Sequence, residues 1–359
     1  MPAELNIGTS LAYGLPASVN ALKLNRHTFW CGQSGSGKTY ALGVLLEKVI
    51  SQTHMPVVVL DPNADFVHLN EVRSDARGEV ADALRQRDIR VLRAGENTPR
   101  LCLKFADLDM RTQAAMLRLD PILDAEQFNT MLQVSTRDLA AIEGSLPQWL
   151  RSQNIDAYTQ IALRLENLGV LEWPIWSWGD KTVPQFVSEK ADATIVDLGG
   201  FDTSEQMQLV ALAVLDDLWN NRHERIGRLI VIDEAHNLCP PQPATPLERL
   251  LTERIVQIAA EGRKYGIWLL LSTQRPSKIH PNVISQCDNL ALMKMSSQRD
   301  LDELASIFSF ADSELIAQSP TFQQGQALFA GGFTDQDLLV QMADRLTREG
   351  GSDVRVELR

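Results

Sequence analysis

The residues with the clearest chemical meaning form a short loop, GQSGSGKT, at positions 32–39. It satisfies the phosphate-loop pattern G-x-x-x-x-G-K-[ST], in which glycines let backbone N–H groups curl around a phosphate. The helix that follows adds the positive end of its dipole. We expect Lys38 to reach the β- and γ-phosphates of a nucleotide and the Thr39 hydroxyl to ligate Mg²⁺. The predicted nucleotide-binding residues are Gly32, Ser34, Gly35, Ser36, Gly37, Lys38, Thr39 and Tyr40.

A second acidic motif follows a run of apolar residues in RLIVIDEAH, positions 228–236. The run places Asp233 at the carboxyl end of a buried strand, where ligands of open α/β sheets bind. Asp233 is expected to hold Mg²⁺ through water, and Glu234 to polarise the attacking water as a general base. The alternative, a strand that merely ends in acidic residues, is weakened by the phosphate loop upstream.

Two further polar residues close apolar strands. Gln274 ends IWLLLSTQ and is predicted to contact the γ-phosphate or the lytic water. Asp61 ends PVVVLD, in a strand expected beside that of the phosphate loop, and is predicted to orient metal or water. The alternatives are a residue that starts the next turn for Gln274, and a turn-starting Asp before Pro62 for Asp61.

The elements that must position these residues alternate along the chain from about residue 26. Short apolar runs alternate with amphipathic segments, which predicts an α/β fold with a mostly parallel sheet flanked by helices. Helices are expected at 38–51 and 203–220, the latter capped by Thr203 or Ser204. The region 105–185 is helical in pattern and is interpreted as an insertion. Strands are expected at 27–31, 56–61, 88–93, 193–200, 228–236, 266–274 and 289–294.

Composition limits the protein classes that fit. The chain has 359 residues with 44% hydrophobic and 22% charged residues, enough for a sizeable core. A formal net charge of −12 argues against a surface that binds polyanions all over, and leaves room for a local basic track. The four cysteines lie far apart and are expected to be buried thiols. With no signal-peptide pattern or bilayer-spanning run, the sequence predicts a soluble, cytoplasmic protein.

Several stretches together resemble the HerA/FtsK superfamily of ring-forming DNA-pumping ATPases, specifically its HerA branch. The resemblance covers about residues 5–355, and STQRPSKIHPNVISQC is its most specific part. It implies a RecA-like P-loop NTPase core of the ASCE type, a homohexamer, and ATP hydrolysed with Mg²⁺ between subunits. The stretches that carry it are GQSGSGKT, VLDPNADF, VIDEAHNL, AAEGRKYGIWLLLSTQRPSKIHPNVISQCDN and SSQRDL.

The resemblance also implies that an arginine from the neighbouring subunit completes each site. The matching position is Arg263 in EGRKYG, with Lys264 beside it and Arg299 in SSQRD as other candidates. A planar, permanently charged guanidinium suits the spread charge of a transferring phosphoryl group. The alternative for Arg263 is a cation at a helix C-terminus, before Gly266.

The HerA branch usually has an N-terminal β-barrel, whereas only 31 residues precede Gly32 here. We therefore expect a truncated barrel remnant in residues 1–25. The remaining predicted units are a first part of the RecA-like core (26–104), the helical insertion (105–190), a second part of the core (191–335) and a C-terminal extension (336–359).

The resulting hypothesis is a hexameric ATPase that couples ATP hydrolysis to translocation of double-stranded DNA. A nuclease or other effector is the expected partner, in DNA end processing or antiviral defence, with no membrane involved. The alternative is an ATP-dependent ring scaffold that assembles and regulates an effector with little DNA pumping, and a conjugation-type ATPase is a third possibility. Candidate DNA contacts are the basic run 85–104 and the loop 275–282, with solvated surface as the alternative for the basic run.

Overall fold

A computed structural model describes residues 4–95, 99–133, 145–177 and 179–350, and an eleven-stranded sheet forms its centre. The strands are β1 (Glu4–Ser10), β2 (Pro16–Asn20), β3 (His27–Cys31), β4 (Val57–Asp61), β5 (Ile89–Leu92), β6 (Ala193–Asp197), β7 (Arg228–Ile232), β8 (Ile267–Thr273), β9 (Cys287–Met293), β10 (Gln326–Gly331) and β11 (Leu338–Met342). They are arranged in the order β2-β1-β11-β10-β9-β3-β8-β7-β4-β6-β5.

The sheet has a parallel part and an antiparallel part. Strands β3 to β9, which correspond to the seven predicted strands, pair in parallel, and the predicted α/β fold is confirmed. Strands β10, β11, β1 and β2 continue the sheet antiparallel from β9. The sequence interpretation did not assign these four strands, and β1 and β2 lie in the segment interpreted as a barrel remnant.

The described helices flank the sheet. They are α1 (Lys38–Gln52), α2 (Glu79–Leu84), α3 (Met110–Met116), α4 (Ala125–Gln133), α5 (Leu146–Ser152), α6 (Asp156–Asn167), α7 (Val183–Ser188), α8 (Ser204–Asn220), α9 (Pro246–Glu261), α10 (Pro281–Ile284), α11 (Gln298–Ile307) and α12 (Ser313–Ala317). Thr203 occupies the N-cap position of α8, as expected, although its side chain makes no capping hydrogen bond.

Side chains alternate between two hydrophobic clusters along the parallel strands, because successive strand residues point to opposite faces. In β7, Ile230 and Ile232 belong to one cluster, and Leu229 and Val231 belong to the other. Helices α8 and α9 cover the first face and α1 covers the second. Burial on both faces explains the near-continuous apolar runs that identified these strands.

One expectation about strand order is wrong. Strand β4, which ends at Asp61, was expected beside β3, but β8 and β7 lie between them. Strand β3 pairs with β8 and β9, and β4 pairs with β6 and β7. Strand order is set by crossovers between distant segments, so the local pattern of apolar residues carries no record of it.

The region between β5 and β6 contains helices α3 to α7, with α5 packed on α6 and α4 between α3 and α6. Trp176 stacks against Trp173 with ring centroids 6.3 Å apart, and its Nε1–H donates to the carbonyl of Val170 at 2.6 Å. These two tryptophans pack within the region. The proposed unit boundaries stay a prediction, and residues 1–3, 134–144 and 351–359 within those units lie outside the described part.

Candidate nucleotide-binding site

The loop between β3 and α1 lies at the carboxyl edge of the parallel strands and borders a cleft of about 800 Å³. One wall contains the loop together with Glu234 and Gln274, which follow β7 and β8. A second wall contains Gln324, which precedes β10, Gln341 of β11 and the chain that follows β11. The lining residues are Gln33, Ser34, Gly35, Gly37, Lys38, Thr39, Tyr40, Asn63, Asp65, Glu234, Gln274, Gln324, Gly325, Gln341, Met342, Asp344, Glu349 and Gly350.

The loop has the backbone that phosphate binding requires. Gly35 and Gly37 adopt φ values of 77° and 87°, a left-handed conformation that glycine reaches at no steric cost. A Cβ on Gly32 would lie 2.8 Å from Ser36 Oγ, so this position also excludes a side chain. Ser36 Oγ is buried and has no hydrogen-bond partner in the described residues. An unsatisfied hydroxyl and a following helix N-terminus are suited to an anion.

Lys38, the first residue of α1, is buried among polar groups. Its Nζ lies 3.0 Å from Asp233 Oδ1 and 3.2 Å from Glu234 Oε1, and it donates to Ser272 Oγ at 2.9 Å. Burial acts to lower the pKa of Lys38, but the carboxylates of Asp233 and Glu234 raise it above its ordinary value. Lys38 is therefore a charged ammonium group in contact with both acidic residues.

Asp233 and Glu234 follow β7 in geometry that leaves them open to further ligands. Asp233 is fully buried, and its Oδ2 atom has no hydrogen-bond partner within the described ranges. Glu234 adopts φ 41° and ψ 49°, a left-handed conformation that is strained for a residue with a side chain. Burial acts to raise the pKa of Glu234, but His236 and Lys38 lower it below its ordinary value. Glu234 is therefore an ionised carboxylate that can accept a proton.

The residues predicted to hold Mg²⁺ fit that ion in chemistry. Asp233 Oδ2 is an unpaired buried oxygen, and Thr39 Oγ1 lies at the cleft, 3.4 Å from Asp65 Oδ2. Mg²⁺ prefers oxygen ligands and takes most of them from water and phosphates rather than from a protein cage. The described part of the chain contains no group of three or more His, Cys, Asp or Glu residues arranged for a metal.

The carboxylate of Asp61, at the end of β4, is hydrogen-bonded to the backbone. Its two carboxylate oxygens accept hydrogen bonds from the N–H groups of Asp65 at 3.0 Å and Phe66 at 2.8 Å. These are the contacts of the turn alternative, and a role in orienting metal or water stays a prediction. Burial raises the pKa of Asp61 to about 7 and that of Asp65 to about 6, and the negative charge of Asp233 contributes to both.

The end of β8 is hydrogen-bonded to the acidic motif. The backbone N–H of Gln274 donates to Glu234 Oε2 at 3.4 Å, and Gln274 lines the cleft. Its contact with the γ-phosphate or the lytic water stays a prediction. His236 Nδ1 lies 3.0 Å from Thr273 Oγ1 and 3.2 Å from Glu234 Oε2. The sequence interpretation missed His236 and Ser272. The polar Ser-Thr pair that ends an otherwise apolar strand was the available signal.

Arg263 lies at the opposite edge of the sheet from the phosphate loop of its own chain. It precedes β8 and pairs with Asp288, the second residue of β9, which also binds Arg26 at 3.1 Å. Lys264 beside it is exposed, and Arg299 is exposed in α11. The structure therefore brings Lys38, Thr39, Asp233, Glu234 and Gln274 together and leaves Arg263 away from them.

The basic run 85–104 contributes its described arginines to contacts within the chain. Arg85 pairs with Asp82, Arg90 with Asp88, and Arg93 with Asp197. Arg87 and Arg100 likewise face Asp192 and Asp180. This arrangement favours the solvated-surface alternative for the run.

The loop after β8 has exposed cations beside the acidic motif. Arg275 and Lys278 are exposed and border a cavity of about 460 Å³ together with His236. Its other lining residues are Pro240, Pro241, Gln242 and Ser277. His236 thus lies between this cavity and Glu234.

No helix in the described ranges is long and apolar enough to cross a membrane.

Comparisons with known proteins place the chain among helicase-related sequences. The family described as "Helicase HerA, central domain" matches residues 5–218. A probable helicase of Methanocaldococcus jannaschii is 24% identical over 352 residues, covering 92% of this chain and 65% of that protein. The DNA double-strand break repair helicase HerA of Pyrococcus furiosus is 22% identical over 381 residues, covering 91% and 67%. The chain thus spans about two thirds of the length of these two relatives.

Solved structures share the fold at low sequence identity. VirB4 of Thermoanaerobacter pseudethanolicus superposes with a TM-score of 0.62 and 15% identity, over 96% of this chain and 97% of that chain. The bacterial conjugative coupling protein TrwB superposes with a TM-score of 0.58 and 12% identity, over 95% and 90%. Both are similar to this chain in architecture across nearly its whole length.

Proposed function

This chain belongs to the family of the HerA helicase central domain, and from that premise we propose that it is an ATPase that couples ATP hydrolysis to translocation of double-stranded DNA. The observation that carries the proposal is the buried cluster in which Lys38 Nζ lies 3.0 Å from Asp233 Oδ1 and 3.2 Å from Glu234 Oε1. A charged lysine, an unpaired buried aspartate oxygen and a strained ionised glutamate are the groups that phosphoryl transfer to water needs.

Each residue has a distinct role in this mechanism. The loop amides and Lys38 bind the β- and γ-phosphates, so the triphosphate competes with the two carboxylates for the lysine ammonium. Thr39 and Asp233 would hold Mg²⁺, and the ion would supply positive charge against the phosphates. Glu234, kept ionised by His236, orients the attacking water and accepts its proton. Gln274, whose N–H contacts Glu234, lies where it can position the same water.

We propose a homohexameric ring in which Arg263 acts on the site of the neighbouring subunit. The separation of Arg263 from its own phosphate loop, at the other edge of the sheet, supports action in trans. Its contact with Asp288 involves side chains that are 33% and 46% exposed, so the guanidinium can exchange this partner for a phosphate at low cost.

We propose that DNA phosphates bind the cavity lined by Arg275 and Lys278. This loop is hydrogen-bonded to the acidic motif, because Arg275 N–H donates to Thr273 Oγ1 at 3.0 Å and Thr273 contacts His236. DNA phosphates bound to Arg275 and Lys278 would therefore be coupled to Glu234 through Thr273 and His236.

ATP turnover of the purified chain, with and without linear double-stranded DNA, tests the function. We expect DNA to raise the rate of ATP turnover. Glu234→Gln should lower that rate by about 100-fold or more. A rate that Glu234→Gln leaves unchanged would reject the assigned site. A Glu234-dependent rate that DNA leaves unchanged would reject the translocase and favour a ring scaffold that assembles an effector.

The DNA surface has its own test. The double variant Arg275→Ala/Lys278→Ala should bring the ratio of rates with and without DNA toward one. The matched control is Arg85→Ala/Arg90→Ala, since these arginines are paired with Asp82 and Asp88 and should leave the ratio unchanged. The opposite pattern would assign DNA binding to the 85–104 run.

By resemblance to HerA we further propose a nuclease or other effector as partner, in DNA end processing or antiviral defence. Co-purification of the chain with proteins encoded beside it tests this. A nuclease whose activity depends on Lys38 of this chain supports the proposal.

A further inference from the structure

The cleft has a second wall that the phosphate-loop chemistry leaves unassigned. Gln324, Gln341 and Asp344 line it with exposed polar side chains. Gln324 precedes β10, Gln341 lies in β11 and Asp344 follows it, far along the chain from the phosphate loop. Amide and carboxylate groups of this kind recognise neutral hydrogen-bond donors and acceptors rather than phosphates.

This wall abuts the phosphate loop on a different side from Lys38. Gly325 N–H donates to the Ser36 carbonyl at 3.0 Å, and a Cβ on Gly37 would lie 3.2 Å from the Gly325 nitrogen. The Lys38 side chain instead points to Asp233, Glu234 and Ser272. A triphosphate whose terminal groups lie at Lys38 would therefore extend its nucleoside toward the hairpin.

A buried charged contact holds the wall against α1. Arg345 is 1% exposed; its backbone N–H donates to Tyr40 Oη at 2.7 Å, and its guanidinium lies 5.6 Å from the centre of the Phe66 ring. Glu47 of α1 is fully buried and accepts from the N–H groups of Leu346 and Thr347 at 2.9 and 2.7 Å. We call Arg345, Leu346, Thr347 and Glu47 the latch.

The latch explains a glycine within α1. A Cβ on Gly43 would lie 2.6 Å from Arg345 Nε, so the guanidinium occupies the space that any side chain would need. Glycine is unfavourable inside a helix, and here it allows the close approach of Arg345. The chain residues next to Asp344 are thus fixed directly to the helix that follows the phosphate loop.

We propose that Gln324, Gln341 and Asp344 form a nucleoside-binding subsite, held in place by the latch, that takes the ribose or base of a ribonucleoside triphosphate. Asp344 accepts a hydrogen bond from a ribose hydroxyl or an exocyclic amino group, and the glutamine amides bind the same part of the ligand. The subsite rests on the proposed ATP binding and adds its selectivity for the nucleoside.

Titration calorimetry in the Glu234→Gln background separates nucleoside from phosphate binding, with Mg²⁺·ATP and Mg²⁺·tripolyphosphate as ligands. We expect Asp344→Ala and Gln341→Ala each to weaken ATP binding about 5- to 10-fold and to leave tripolyphosphate binding unchanged. Asp335→Ala and Gln318→Ala, exposed residues of the same types outside the cleft lining, should change neither affinity.

Several outcomes overturn the proposal. Equal loss of ATP and tripolyphosphate binding would show that these residues support the whole cleft and do not bind the nucleoside selectively. Unchanged ATP binding would reject the subsite. Binding of neither ligand by the parent chain would reject ATP binding itself, and the subsite with it. With 2′-deoxyATP, an Asp344→Ala effect that disappears places Asp344 at the ribose, and one that persists places it at the base or 3′-hydroxyl; both support the subsite.

The latch is tested by Gly43→Ala, with circular dichroism as a check on folding. Displacement of Arg345 should reproduce the selective loss of ATP affinity in a folded chain. Wild-type affinity for both ligands would show that the latch does not position the wall. If this variant does not fold, Arg345→Lys, which keeps the charge and shortens the contact, supplies the same comparison.

Discussion

Helix α1 carries two buried charges in different surroundings. At its first residue, Lys38 contacts two carboxylates, one with an unpaired oxygen and the other on strained backbone. About two and a half turns later, Glu47 accepts hydrogen bonds at 2.7–3.0 Å from three donors, the N–H groups of Leu346 and Thr347 and the Thr347 hydroxyl. The first cluster retains unmet bonding capacity and the second has its carboxylate satisfied.

This difference separates a site that binds ligands from a contact that fixes structure. Buried polar groups are normally hydrogen-bonded, so an unpaired Asp233 oxygen beside a strained Glu234 indicates a place for a ligand. The Glu47 carboxylate has no comparable need. We therefore expect changes at the first cluster to abolish turnover in addition to any loss of stability, and changes at the second to act mainly on stability.

The largest effect should follow Lys38→Ala, which would bring ATP turnover to background. The change also leaves Asp233 and Glu234 buried without their cation, which should lower the free energy of unfolding by about 3 kcal/mol. Turnover assays and urea unfolding check the two parts. If the Lys38→Ala chain retained turnover, the first cluster would not be the site of ATP hydrolysis.

Arg263→Ala should lower turnover about 1,000-fold, as expected for an arginine that acts on a neighbouring site. Arg26→Ala is the matched control, because both arginines contact Asp288. Both variants should change the free energy of unfolding by less than about 1 kcal/mol, since the pairs are partly exposed.

Mixing Arg263→Ala chains with Lys38→Ala chains sharpens this test. A mixed ring contains interfaces with an intact lysine from one chain and an intact arginine from the other, so turnover should partly recover. Absence of recovery, in rings shown to exchange subunits, would contradict action in trans.

Glu47→Ala should lower the free energy of unfolding by about 3 kcal/mol, because it leaves buried N–H donors of Leu346 and Thr347 without an acceptor. Lys48→Ala, at the next position of α1, should cost less than about 1 kcal/mol. Urea unfolding measures both. Equal effects would show that the Glu47 contacts contribute no special stability.

A smaller effect should come from His27, a buried group outside both clusters. Its Nδ1 accepts from Leu269 N–H at 2.9 Å, and burial, with a contribution from Arg263, lowers its pKa to about 4. The unfolded chain takes up this proton near pH 6.5 and the folded chain does not, so acidification favours unfolding. Between pH 6.5 and 5.5 the free energy of unfolding should fall by about 1 kcal/mol through His27.

The difference in pH dependence between the wild-type and His27→Asn chains isolates that contribution, because Asp61 and Asp65 also titrate in this range. His27→Asn should remove it from the slope, and His54→Asn, at an exposed histidine, should keep the wild-type slope. An unchanged slope in His27→Asn would show that this histidine is not the titrating group.

The sequence predicted the first cluster far better than the second, for a physical reason. Phosphate-loop and acidic-motif residues lie in short contiguous patterns that follow apolar strands, so type and spacing were enough to predict that they come together. Their chemical roles stay predictions. Ser272 and His236 lie within the same stretches of sequence, but no role was predicted for their side chains. The expectation that β4, which ends at Asp61, lies beside β3 was wrong because crossovers determine the order of strands in a sheet.

Glu47 and Leu346 could not be connected in this way, since 299 positions separate them. Neither residue belongs to a recognisable pattern, and a glutamate in an amphipathic helix is normally exposed to solvent. The same holds for Gly43, whose purpose becomes visible only when Arg345 is placed beside it.

The distance between Glu47 and its partners has a consequence for biosynthesis. Helix α1 leaves the ribosome early, but the groups that satisfy Glu47 are added 299 residues later. At about 5–20 residues per second, this delay is on the order of 15–60 s. During that interval the nascent chain holds an unsatisfied acidic residue on a helix whose apolar face is not yet covered, which makes this the stage at which a chaperone is most needed.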